Sequence, residues 1–183
     1  MHEFHRLAVQ GIFPCAGSYR TLTRTAELRG GDVTHVPPEP ALIGPLVNEA
    51  LDRINGELDD LRSRGRERVT ENMKQAIDTA AYALWRFNWI HPFAGGNGRT
   101  ARAIAYLVMT IDFGHMIPGT PSMPTYIASK RKEYEAALRK ADDAALEERE
   151  DLASMFVLVG EAMAEQLKGA IRDIDAQISA LSG

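Results

Sequence analysis

Between His91 and Arg102 the chain places one histidine, three glycines and two arginines within twelve residues: His91-Pro92-Phe93-Ala94-Gly95-Gly96-Asn97-Gly98-Arg99-Thr100-Ala101-Arg102. Gly95, Gly96 and Gly98 open restricted backbone conformations that Asn97 also tolerates. A turn of that kind can aim successive N–H groups into one concavity, a nest for anionic oxygens. From Arg99 onward the pattern is helical, with Ile104, Leu107, Val108 and Ile111 at i, i+3, i+4 and i+7, expected as a buried stripe. The turn therefore sits at a helix N-terminus, where unpaired N–H groups and the dipole favour negative charge. Arg99 and Arg102 share a face of that helix, and the planar guanidinium fork suits phosphate oxygens. His91 precedes the nest and is placed to take a proton near neutral pH. Together these parts can hold a polyphosphate and deprotonate a group beside it. The bland alternative is a glycine loop joining two helices, with a buried histidine and solvated arginines. The coincidence of histidine, nest, helix start and arginine pair favours chemistry.

The segment resembles the signature of the Fic family (Fic/Doc superfamily): His-Pro-Phe, a variable residue, an acid, Gly-Asn-Gly-Arg, two residues and Arg. His91, Pro92, Phe93, Gly96, Asn97, Gly98, Arg99 and Arg102 match it. The likeness extends to Phe4-His5-Arg6 through Phe13-Pro14, to Ala16-Gly17-Ser18-Tyr19-Arg20, and to Ile127 through Asp142, covering roughly residues 4–142. It implies an all-α, Fic-type helical bundle with a small β-hairpin flap, forming a single domain over 1–183 with a C-terminal helical region at 146–181. It also implies a protein adenylyltransferase. His91 would deprotonate a target hydroxyl, which attacks the α-phosphate of ATP. Phe93 would anchor the loop, Gly96, Asn97 and Gly98 would form the anion hole, Arg99 and Arg102 would contact phosphates, and Tyr134 would wall the nucleobase.

The departure is Gly95, which stands where the family carries an Asp or Glu that holds magnesium. Magnesium is usually bound through one or two carboxylates plus phosphate oxygens and water. Three outcomes stay open: metal held by the phosphates alone, a carboxylate supplied from elsewhere, or nucleotide binding without efficient turnover. The alternative function is accordingly a nucleotide-binding regulatory or interaction protein. A transferase using a phosphocholine, phosphate or uridylyl donor is another.

The 183 residues suit one domain with a sizeable core, and 45% hydrophobic with 25% charged residues reads as globular. A net charge of −4 does not point to nucleic acid or an anionic membrane as partner. Cys15 is the only cysteine, so no internal disulfide forms and a reducing compartment is compatible. No stretch is long and apolar enough to span a bilayer, and Met-His-Glu-Phe-His-Arg carries no signal-peptide pattern. A cytoplasmic location is expected, with delivery into a host cell left open. His2 and His5 form a weak metal-spaced pair, expected to be solvated near the terminus.

The elements that must position the site are mostly helical. Phe4 to Gln10 reads as a helix end. Thr21, Thr23 and Thr25 alternate in a strand expected over Tyr19 to Glu27, with a turn at Arg29-Gly30-Gly31-Asp32 and a return strand over Val33 to Val36. In the family such a hairpin pairs its edge with an extended piece of the target protein, so docking is expected at about 19–36. Helices are expected from Pro40 to Leu61, Glu67 to Asn88 and Thr125 to Asp142, with Gly65 interrupting between the first two. Trp85, Phe87 and Trp89 read as packing that fixes the loop. A last helix, Leu146 to Leu181, carries Leu167, Ile171, Ile174, Ile178 and Leu181 at heptad-like spacing. Covering the domain's own core is its commoner explanation; a homodimer or partner surface is the other.

Relatives often carry an inhibitory helix reading Ser or Thr, three residues, Glu, then Gly or Asn. Thr23 to Glu27 is followed by Leu28, Ser129 to Glu133 by Tyr134, and Glu71-Asn72 has Glu67 at the Ser/Thr position. None fits, leaving a separate inhibitor protein, a removed segment or no inhibitor.

Overall fold

The computed structural model describes residues 1–12, 16–23, 26–27, 34–64 and 69–181, with backbone alone at 26–27 and 34–35. Seven α-helices are described: α1 (His2–Val9), α2 (Ile43–Ser63), α3 (Val69–Ile90), α4 (Asn97–Phe113), α5 (Met123–Ser129), α6 (Arg131–Leu146) and α7 (Ala153–Leu181). The architecture is all-α. Two short strands, β1 (Ala26–Glu27) and β2 (Thr34–His35), pair antiparallel with Ala26 opposite His35 and Glu27 opposite Thr34. Of the hairpin expected at about 19–36, the described residues show this two-residue ladder alone. Thr21 and Thr23 lie outside it and are exposed, while Thr25 and the turn at 29–32 fall outside the described residues, as do Cys15 and Gly65.

The core is organised around α3. Every residue from Thr79 to Trp85 is buried, so this stretch of the helix is enclosed all round, whereas its first half exposes Val69, Glu71, Lys74 and Asp78. Four of those seven positions are Ala80, Ala81, Ala83 and Thr79, small enough for α2, α4, α6 and α7 to approach it from different sides. A 3₁₀ turn at Pro40–Leu42 leads into α2, which buries Ile43, Val47, Ala50, Ile54, Leu58 and Leu61 at helical spacing. No helix of the described residues is long and apolar enough to cross a membrane.

Three expectations need correction. Leu107 is 43% exposed, so the buried stripe of α4 runs through Ala101, Ile104, Ala105, Val108 and Met109. Alanine and methionine positions shift the apolar face away from the one that the larger residues suggest. The single helix expected over Thr125 to Asp142 is two, broken at Lys130 (φ −91°, ψ 47°). Buried Ile127, Tyr134, Leu138 and Ala141 stay in helical step across the break, and neither Gly nor Pro marks it. The apolar seam at the end of α7 does not cover the core: Ile171, Ile174 and Ile178 are more than half exposed and Leu181 is 89% exposed. That helix runs past the last element it packs on.

The inner part of α7 is tightly held. Buried Gln166 accepts the Met123 N–H at Oε1 (2.7 Å) and donates from Nε2 to the Ile117 carbonyl (2.7 Å) and the Tyr106 hydroxyl (3.2 Å). A Cβ on Gly169 would lie 2.2 Å from the Thr120 carbonyl oxygen, whereas one on Gly160 would meet only Ile77 Cδ1 at 4.0 Å. Two glycines of one helix should therefore respond oppositely. Gly160→Ala is expected to stabilise the fold by up to ~1 kcal/mol through helix propensity. Gly169→Ala is expected to destabilise it by about 1–3 kcal/mol through overpacking. Urea titration of both variants checks the sign of each.

Candidate active site

The site begins where α3 stops. Pro92 cannot extend the helix, and His91 ends it in the left-handed region, at φ 49°, with its N–H bonded to the Phe87 carbonyl at 3.2 Å. Glycine usually occupies that position. A histidine there costs roughly 1–2 kcal/mol, the kind of strain that gathers at functional sites.

Arg20 secures this turn from below. It is 4% exposed, and its Nε donates to the His91 carbonyl at 2.7 Å, with a longer bond from Nη2 to the Ile90 carbonyl at 3.4 Å. The same guanidinium donates to the Leu22 carbonyl at 3.1 Å and the Pro38 carbonyl at 2.5 Å. Its backbone N–H bonds the Pro92 carbonyl at 2.9 Å. A cation at a helix C-terminus complements the dipole. Arg20 therefore ties both stems of the β1–β2 ladder to the residue expected to act as base.

Phe93 is fully buried, as expected of an anchor, and pairs in an isolated bridge with Tyr19. Asn97 holds it from the other side: its Oδ1 accepts the Phe93 N–H at 2.9 Å and its Nδ2 donates to the Phe93 carbonyl at 2.8 Å. The Asn97 side chain is buried and closes the loop, which leaves its backbone N–H for the expected anion nest. Gly96, at φ 78°, is the N-cap of α4, and its carbonyl accepts both the Thr100 N–H (2.9 Å) and the Thr100 hydroxyl (3.0 Å). Among the described residues no side chain caps α4, and no acidic residue lies in its first turn. The first N–H groups, at Asn97, Gly98 and Arg99, have no partner within the helix and form the positive end of its dipole.

Arg99 is exposed in the first turn of α4. Arg102, one turn on, is half-buried: its Nη1 would lie 3.4 Å from a Cβ on Gly98, and its guanidinium carbon sits 6.0 Å from the Tyr134 ring centroid. The resemblance placed Tyr134 against a nucleobase. Its ring lies in the core at 7% exposure, with its hydroxyl accepting from Asn88 Nδ2 at 2.7 Å and the charge of Arg102 nearby. Burial pushes the phenol up to about 12, against the opposing charge of Arg102 and the bonds from Asn88 and Arg102. Neutral Tyr134 is thus the seat of Arg102. Tyr134→Phe would remove the acceptor of the half-buried Asn88 amide and should cost about 0.5–1.5 kcal/mol in a denaturant titration. Arg102 would also lose its fixed position.

His5 was expected in solvent and is 1% exposed. Its ring stacks on Phe93 (centroids 3.6 Å apart, planes within 3°), Nδ1 accepts the Gly17 N–H at 2.8 Å, and Nε2 donates to the Gly95 carbonyl at 3.0 Å. His2 is exposed, and its Nδ1 donates to the Gly17 carbonyl at 2.6 Å. Both histidines bond the backbone of Gly17. With His5, Arg20 and Asn88, three positioning groups escaped the sequence reading, because each acts on backbone or side chains far away along the chain.

A family model described as Fic/DOC family matches residues 1–109. The chain belongs to the Fic/DOC family. Two solved structures share the Fic fold. One is a Fic family protein from Desulfovibrio desulfuricans G20, with TM-score 0.64, 22% identity, and coverage of 92% of this chain and 45% of that one. The other is a Fic domain containing signaling protein from Bacteroides thetaiotaomicron VPI-5482, with TM-score 0.61, 19% identity, and coverage of 92% and 58%. The chain spans about half the length of these Fic structures. The matched residues 1–109 include His91, the loop and both motif arginines.

Proposed function

We propose that the chain is a protein adenylyltransferase that uses ATP to modify a hydroxyl side chain of a target protein. Fic/DOC membership supports a transferase in general terms. The observation that carries the finer reading is the N-terminus of α4, which among the described residues has no side-chain cap and no acid in its first turn, with His91 ahead of it and Arg102 behind. Such an end is a ready site for phosphate oxygens. The triphosphate would lie on the N–H groups of Gly96, Asn97, Gly98 and Arg99, with Arg99 and Arg102 against its outer oxygens. The imidazole of His91 would take the proton of the target hydroxyl. The hydroxyl oxygen would then bond to the α-phosphorus as the bond to the bridging α–β oxygen breaks and pyrophosphate leaves. Positioning and fixed charge supply most of the acceleration in such a step. The β1–β2 ladder offers a backbone edge on which an extended target segment can pair.

Gly95 supplies no carboxylate, so this loop offers a magnesium ion only backbone at the position where the family carries its acid. Hence a second reading, nucleotide binding with little turnover, is favoured by Gly95 alone. Incubation with α-labelled ATP and a cell lysate separates the two. Label on protein that vanishes in His91→Ala supports transfer. ATP binding by calorimetry with no label under magnesium or manganese supports the second reading.

A further inference from the structure

We propose that His5 is a positioning residue for the phosphate cradle, setting through its Nε2 the orientation of the Gly95–Gly96 peptide. The inference rests on the triphosphate reading above and names a part of the machinery that reading requires. Gly95 has no side chain, so nothing attached to that residue fixes the peptide that follows, and glycine's wide conformational range leaves it free to turn over. His5 supplies the missing hold from α1, ninety residues away in sequence. Because Nδ1 accepts the Gly17 N–H, the ring proton sits on Nε2, and that nitrogen donates to the Gly95 carbonyl at 3.0 Å.

A trans peptide carries its C=O and N–H on opposite sides. With the Gly95 carbonyl drawn towards the imidazole, the Gly96 N–H faces away from α1 and joins the uncapped donors of α4. Asn97 closes the loop on Phe93 from within, and the His5 ring lies flat on the same Phe93. Loop residues 93–97 are therefore clamped by two side chains, one on each side. A side chain that only filled space on Phe93 would have no need of two polar atoms; both nitrogens of His5 are engaged at 1% exposure.

Two substitutions separate positioning from packing. His5→Asn keeps an acceptor near Nδ1 and loses the donor to Gly95, whereas His5→Gln carries an amide N–H to about the place of Nε2. Both lose the stack on Phe93, so a merely structural role predicts equal effects. In calorimetric titrations of ATP with magnesium chloride, His5→Gln is expected within about threefold of the wild-type Kd and His5→Asn about tenfold weaker. Equal weakening in both variants, or none in either, would overturn the assignment and leave the ATP reading standing. Failure of the wild type to bind ATP would overturn both. Should either variant not fold, the wild type answers by NMR. The His5 Nε2–H resonance is expected to move when ATP is added, and an unmoved resonance would overturn the assignment.

Discussion

Gly95→Asp is expected to raise magnesium-dependent transfer from ATP by about 10²-fold, the scale of a metal ion that neutralises charge developing on phosphate oxygens. The backbone permits the change. Gly95 is outside the left-handed region that Gly96 occupies, and it is only half-buried, so a carboxylate can stand there without backbone strain. Its hydrogen bond to His5 uses the main-chain carbonyl and survives the substitution. The gain should disappear in EDTA. Labelled-ATP transfer by wild type and variant, with and without magnesium, checks it. An unchanged rate at saturating magnesium would mean that the absent acid does not limit this site.

His91→Asn is expected to separate stability from chemistry. Asparagine tolerates the left-handed conformation that His91 adopts at φ 49°, whereas a histidine is strained in it. The contacts that fix the turn, from Arg20 to the carbonyl and from the residue's own N–H to Phe87, are made by the backbone and persist. The thermal midpoint should therefore hold or rise by about 2 °C, given the size of the chain and the strain released. Loss of the general base should lower transfer by about 10²–10⁴-fold. Scanning calorimetry beside a transfer assay reads both. A large fall in the midpoint would make His91 a structural residue, and retained transfer would place the base elsewhere.

The parts of the site that act locally were legible in the sequence. The glycines ahead of a helical apolar period located the N-terminus of α4, and helical spacing located α2 and α3 within a few residues. What escaped depends on partners remote in sequence. His5 looks like a solvated residue near a chain end, and only the fold brings Phe93 and Gly95 against it. Nothing near Arg20 says that its guanidinium will gather four carbonyls. Tyr134 sits in phase with Ile127 and Leu138, and that phase signals burial while hiding the break at Lys130. The seam in α7 shows the opposite limit: periodicity reports that a face is apolar and is silent about what, if anything, covers it.

The most direct measurement is a crystal structure with ATP bound. The β- and γ-phosphate oxygens are expected on the N–H groups that open α4 and on Arg102. The α-phosphorus is expected close enough that a hydroxyl about 3–3.5 Å from it would touch the His91 imidazole. Phosphates bound away from the start of α4, or an α-phosphate on the side opposite His91, would contradict this arrangement.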